Sequence, residues 1–189
     1  MTQNSVAAAL DQFVKSLLEK QLNEASRLPL TPFDEEWPSP CYQQTEGTLR
    51  EWKPVHQNAP NTMFDRLEEA LEFQIHPDVA AFYSHYWSDP LPASCTDGDL
   101  SLIQVWSSED MERLRSNILG HLLMKKKFRQ PLTVFIACPE PDDNYMISVI
   151  NDNGEVWLEQ PGKPPIRKLA DNLAEFISSL TPRVIEDQE

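Results

Sequence analysis

Residues 145–159 read YMISVINDNGEVWLE: an apolar run rich in β-branched residues, four turn formers, then a second apolar run. Asn151 to Gly154 supplies what a tight hairpin needs, because Asn, Asp and Gly tolerate positive φ. A hairpin here makes the two runs antiparallel neighbours. Upstream, LTVFIAC (132–138) and DLSLIQVW (99–106) are further runs of strand length, apolar on both faces and therefore central in a sheet. One long helical pattern, SSEDMERLRSNILGHLLMKKKF (107–128), separates them, which is too few crossovers for a doubly wound sheet. The expectation is an α+β fold: a single domain over 1–189 with a central, mostly antiparallel sheet and flanking helices.

The remaining elements are placed from that hairpin outward. Ser107, three residues before Asp110, has the form of a capping box. Lys125 to Lys127 lie where bases favour a helix C-terminus, and Pro131 ends that helix. At the N-terminus Val6, Leu10, Phe13 and Leu17 recur at helical spacing opposite Gln12, Lys15, Glu19 and Lys20, predicting an amphipathic helix over 1–25. Its polar face holds too few bases for a membrane surface, so it is expected to pack on the core. Pro29, Pro32, Pro38, Pro40, Pro54 and Pro60 rule out a long helix, leaving extended loop with short strands at CYQQT and TLREW. Trp37 and Trp52 are expected to fold that stretch back. FDRLEEALEFQIHPDVAAFYSHYW (64–87) reads as two helices broken at His76–Pro77. Phe64, Leu67 and Leu71 form one apolar stripe; Val79, Phe82, Tyr83 and Tyr86 form the other. LADNLAEFISSL (169–180) is a last helix burying Leu169, Leu173, Phe176 and Leu180, with 181–189 a flexible tail.

The chain has 189 residues, 30 acids against 16 bases, and a formal net charge of −14. A field of that sign repels phosphates and anionic lipids and draws basic partners, so neither nucleic acid nor direct membrane binding is expected. Cys41, Cys95 and Cys138 are isolated thiols with no metal-ligand spacing, which fits a reducing cytoplasm. The N-terminus lacks the basic start and apolar run of a signal peptide, and no segment approaches the ~20 apolar residues of a membrane span. Four histidines are scattered, and no HExxH, phosphate loop or GxSxG is present. DGDL (97–100) opens like a calcium loop, but the later ligand positions are apolar. No catalytic residue, metal or cofactor is expected. His76 and His85 read as structural.

Charge is instead segregated. Eleven acids lie between residues 65 and 112, with Arg66 the only base among them; residues 113–129 then carry six bases and no acid. Asp65, Glu68, Glu69 and Glu72 follow i, i+3, i+4, i+7, stacking four carboxylates on one helix face. Repulsion at those separations costs about 0.2–0.5 kcal/mol per pair, so the stripe costs on the order of 1–2 kcal/mol before screening. With Asp78, Asp97, Asp99, Glu109, Asp110 and Glu112, these residues are the candidate partner-binding set: an acidic concave face for a basic loop.

The run FDRLEEALEFQIHPDVAAFYSHYW resembles the opening helices of the SUKH superfamily. WPSPCY (37–42), DGDLSLIQVWSSEDMERLRSNILGHL (97–122), KFRQPLTVFIA (127–137), NGEVWLE (153–159) and LADNLAEFI (169–177) are similar to the Syd family of SecY-interacting proteins, covering about 37–180. That resemblance implies a compact α+β fold and a non-catalytic protein held at the cytoplasmic side of the bacterial inner membrane. It also implies binding to the basic cytoplasmic loops of SecY, the translocase channel subunit, and monitoring or restraint of improperly assembled SecY. An alternative for the same fold is an immunity protein that neutralises a basic toxin.

Overall fold

A computed structural model describes residues 2–44, 46–59, 62–142 and 144–187, and the backbone alone for 2–4. The chain runs α1 (Thr2–Ala25), β1 (Leu30–Pro32), β2 (Leu49–Glu51), β3 (Val55–His56), α2 (Met63–Leu71) and α3 (Pro77–His85). It continues through β4 (Tyr86–Trp87), β5 (Leu91–Cys95), β6 (Gly98–Leu102), α4 (Ser108–Lys127), β7 (Thr133–Pro139) and β8 (Met146–Ile150). β9 (Val156–Glu159), β10 (Arg167–Ala170), α5 (Leu173–Ser179) and β11 (Thr181–Pro182) complete it.

Seven strands form one antiparallel sheet in the order β10-β9-β8-β7-β6-β5-β11. The hairpin read from residues 145–159 lies beside the central strand β7: Met146 pairs with Glu159 and Val149 with Val156. Strand β8 is buried over its first four residues and β7 buries Val134, Ile136 and Ala137, so both faces are covered, as apolar two-faced runs require. Helix α4 lies over the face carrying Thr133 and Phe135, reached by the His121 ring. On the other face Phe176 of α5 shares a cavity wall with Ile147 and Leu158. Helix α1 buries Val6, Leu10, Phe13 and Leu17 in the same core, and the stripes of α2 and α3 join it. No helix of the described residues is long and apolar enough to cross a membrane.

One strand has no counterpart in the sequence reading, and three expectations change. LPASC is a strand although Pro92 interrupts its pattern; it sits between β6 and β11 with Pro92 opposite Ser101. Leu169 and Ala170 belong to β10, because the Asn172 side chain accepts the Glu175 N–H at 2.9 Å and starts α5 only there. CYQQT contributes a single bridge, Tyr42 to Trp52. Finally, the segment expected as a free tail is docked over its described length. β11 pairs with β5, the Ile185 N–H donates to Gln21 Oε1 at 2.9 Å, and Arg27 pairs with Asp187. Residues 188–189 lie outside the described residues.

Candidate functional site

The ten candidate acids do not form one patch. On α2, Asp65, Glu69 and Glu72 are exposed, but Glu68 is half-buried and accepts the Ile75 N–H at 2.9 Å, stapling the α2–α3 turn. Asp78 is a correction: in the first turn of α3 and only 2% exposed, its carboxyl group is covered and not presented to a partner. At the start of α4 Ser107 accepts the Asp110 N–H, so the expected cap forms, while the Asp110 carboxylate accepts the Trp106 N–H at 2.9 Å, one residue before the position a capping box uses. Glu109 is exposed, and backbone N–H bonding at the helix start followed by Ser108 holds its carboxyl below the usual range. Glu112 is bonded to Arg66 of α2 and to Arg115, which lower its carboxyl in that order and tie the two helices together.

Asp97 and Asp99 lie at the opposite end of β6 from α4, about 17 Å along a five-residue strand. Asp97 faces Arg167 at 3.2 Å; Asp99 accepts Ser94 Oγ at 2.6 Å and faces Arg183 at 3.4 Å. The basic run is also thinner than its sequence, because Lys125 is fully buried.

Near the α4 end a furrow of two adjoining concavities is present, and a third concavity lies across the sheet from it. The first, about 460 Å³, is walled by Trp37, Tyr42 and Trp106, with Asp34, Asp89 and Asp110 at its margin. The second shares Asp89 and Pro90 with it and reaches Glu140 and Glu186. The third meets the second only at Glu140: it opens on the Leu100 and Ile147 face of the sheet, opposite the Pro92 and Ser101 face of the second, and holds Asp97 and Asp99. Five acids, Asp34, Asp89, Asp110, Glu140 and Glu186, line the furrow against Arg183.

The aromatic end is rigid. Tyr42 and Trp106 meet edge-to-face at 5.2 Å, Trp52 supports Trp106 at 5.5 Å, and Trp52 is 1% exposed, so the proline-rich stretch does fold back. Gln104 lines the same concavity, 5% exposed, with its Oε1 unpartnered among the described residues. An indole and phenol wall flanked by carboxylates, with a spare buried acceptor, suits a guanidinium or ammonium group. Cation–π contact of this sort contributes about 0.5–2 kcal/mol.

Asp34, Asp89, Glu140, Glu186, Trp37, Tyr42, Gln104 and Trp106 were not in the candidate set. They come from five segments that only the strand order brings together. The one local signal was aromatics interleaved with prolines in WPSPCY.

A family model described as Syd protein (SUKH-2) matches residues 7–182. The chain is 43% identical over 180 residues to Protein Syd of Alteromonas mediterranea, covering 94% of this chain and 97% of that protein. It is 43% identical to Protein Syd of Pseudoalteromonas atlantica, covering 95% and 97%. Protein Syd of Colwellia psychrerythraea is 39% identical, covering 100% and 98%. None of these names denotes an enzyme.

Proposed function

The chain belongs to the Syd (SUKH-2) family, and on that premise we propose that it is a non-catalytic adaptor for the basic cytoplasmic loops of SecY. It meets the inner membrane from the cytoplasmic side only through SecY, and it monitors or restrains SecY that is improperly assembled. The observation that carries this reading is the furrow: five acids and an aromatic wall in two adjoining concavities. An extended basic loop laid along it places cationic side chains on Trp37, Tyr42 and Trp106 and its remaining charge along Asp89, Glu140 and Glu186. The exposed acids of α2 act at longer range, speeding encounter rather than holding the complex.

Sedimentation of the purified protein with membranes overproducing SecY tests the reading. Retention is expected to fall as salt rises. Asp34→Lys combined with Glu186→Lys, or Trp37→Ala alone, is expected to lower it about tenfold or more. Glu69→Lys with Glu72→Lys is expected to change it only a few-fold, mainly through the association rate. Full retention in the furrow variants overturns the site. Indifference to SecY overturns the partner and favours the toxin-neutralising alternative.

A further inference from the structure

Three residues far apart in the chain, Asp11 of α1, His56 of β3 and His85 at the end of α3, converge on one point. His56 Nε2 lies 3.0 Å and His85 Nε2 2.7 Å from the same oxygen, Asp11 Oδ1. The two rings are 5.0 Å apart and edge-to-face. We propose that Asp11, His56 and His85 form a binding site for a divalent transition-metal ion of the zinc type, clamping the N-terminal helix to the body of the fold.

The donor set is what such an ion takes. Two imidazole nitrogens and one carboxylate oxygen suit zinc, nickel or copper, whereas calcium and magnesium want oxygen ligands. Zinc holds nitrogen and oxygen at about 2.0–2.2 Å, so neighbouring tetrahedral donors stand about 3.3–3.5 Å apart. The carboxylate-to-imidazole separations of 3.0 and 2.7 Å are about 0.3–0.8 Å shorter than that, and the three donor atoms all lie within 4.8 Å of one another. The carboxylate and His56 side chains are half-exposed, at 50% and 53%, leaving them room to part and the ion a path from solvent. The fourth position falls to water.

The surroundings hold the ligands in place. Tyr86 OH donates to the same Asp11 oxygen at 2.7 Å, the outer contact that steers a ligating carboxylate. The Tyr86 ring stacks under His56 at 4.4 Å and meets the His85 ring edge-on at 4.8 Å, fixing both imidazoles. Burial works against the Asp11 charge, yet the bonds from His56, Tyr86 and His85 hold its carboxyl down at about 2. In the metal-free geometry each Nε2–H donates to the Asp11 carboxylate, so coordination through Nε2 requires that proton to move to Nδ1 or to leave for solvent as the ion enters.

This inference is independent of the SecY reading. Its test is zinc binding to the full chain in a Cys138→Ser background, which removes the exposed thiol as a competing ligand. Calorimetry is expected to show one equivalent of Zn²⁺. At a hundredfold excess over Kd the melting temperature is expected to rise by on the order of 5–10 °C, reversed by a chelator. His56→Ala with His85→Ala is expected to abolish both effects, and Asp11→Asn to weaken binding at least tenfold. In NMR spectra, Co²⁺ added to the parent is expected to shift or broaden the His56 and His85 ring signals first. No binding, equal binding by the double variant, or Co²⁺ perturbation centred on other residues overturns the site.

Discussion

Lys125 Nζ and the Glu159 carboxylate meet at 2.5 Å, and neither side chain has any exposure. The pair crosses from the last turn of α4 to the end of β9. Lys163 O accepts a second Lys125 proton at 2.8 Å, and Thr133 donates to the other Glu159 oxygen at 2.7 Å. A sequence reading puts Lys125 on a basic, solvated helix end; the fold uses it as an internal tie instead.

Breaking that tie on one side strands a charge in the core. Lys125→Met or Glu159→Gln is expected to lower unfolding free energy by about 3–5 kcal/mol in urea titrations. Lys125→Met with Glu159→Leu is expected to recover most of the loss, because two apolar side chains leave no uncompensated charge. A double variant as unstable as the singles contradicts this account.

His121 gives the fold an acid-side weakness. Burial is the largest influence and pushes its imidazole below 6.5; Glu159 opposes this and Lys125 adds to it. The ring also faces Thr133 and Phe135. A base whose folded pKa is depressed binds fewer protons folded than unfolded. Stability is therefore fully present above about 6.5 and is lost as pH falls below it towards the folded value. The urea midpoint is expected to fall from pH 7.5 to pH 5, and His121→Gln to flatten that slope. An unchanged slope in the variant removes His121 as its source.

Gly154 has φ +79°, and a Cβ there would stand 2.6 Å from the His76 ring. Gly154→Ala therefore combines a left-handed backbone with a clash and is expected to cost about 2–4 kcal/mol. His76→Ala in the same chain is expected to relieve only the steric part. Thermal melts of the three proteins decide it.

Ending the chain after Pro182 removes the Arg183 contacts to Asp99 and Glu140, the Ile185–Gln21 bond and the Arg27–Asp187 pair. Each exposed pair alone contributes about 0–1 kcal/mol, so the summed effect is expected to be a melting temperature lower by a few degrees. Proteolysis near residues 26–30 is expected to quicken. A truncated protein that melts and resists protease like the parent would show that the segment is idle.

Much of the fold was legible because periodicity reports burial directly. The stripes Phe64–Leu67–Leu71 and Val79–Phe82–Tyr83 and the hairpin at 145–159 all take the places their patterns give them. The α+β class followed from them and stands. LPASC was missed because Pro92 masks a strand whose ladder bonds tolerate it, and Lys125 because a buried lysine in a run of three looks like its exposed neighbours. The furrow was the least legible feature. Asp34, Asp89 and Glu140 share a wall only because β5 sits between β6 and β11, a register no local window encodes. Asp78 shows the reverse error, since composition counts a carboxylate without knowing that it is covered.

The docking of α1 beside α5 and β11 has a consequence for the order in which the chain folds. Helix α1 packs against α3, midway along the described residues, and also against α5 and β11 far downstream, where Gln21 meets Ile185. Contacts of such sequence separation close late in folding, so the side of α1 that faces α5 and β11 is expected to be covered after the side that faces α3.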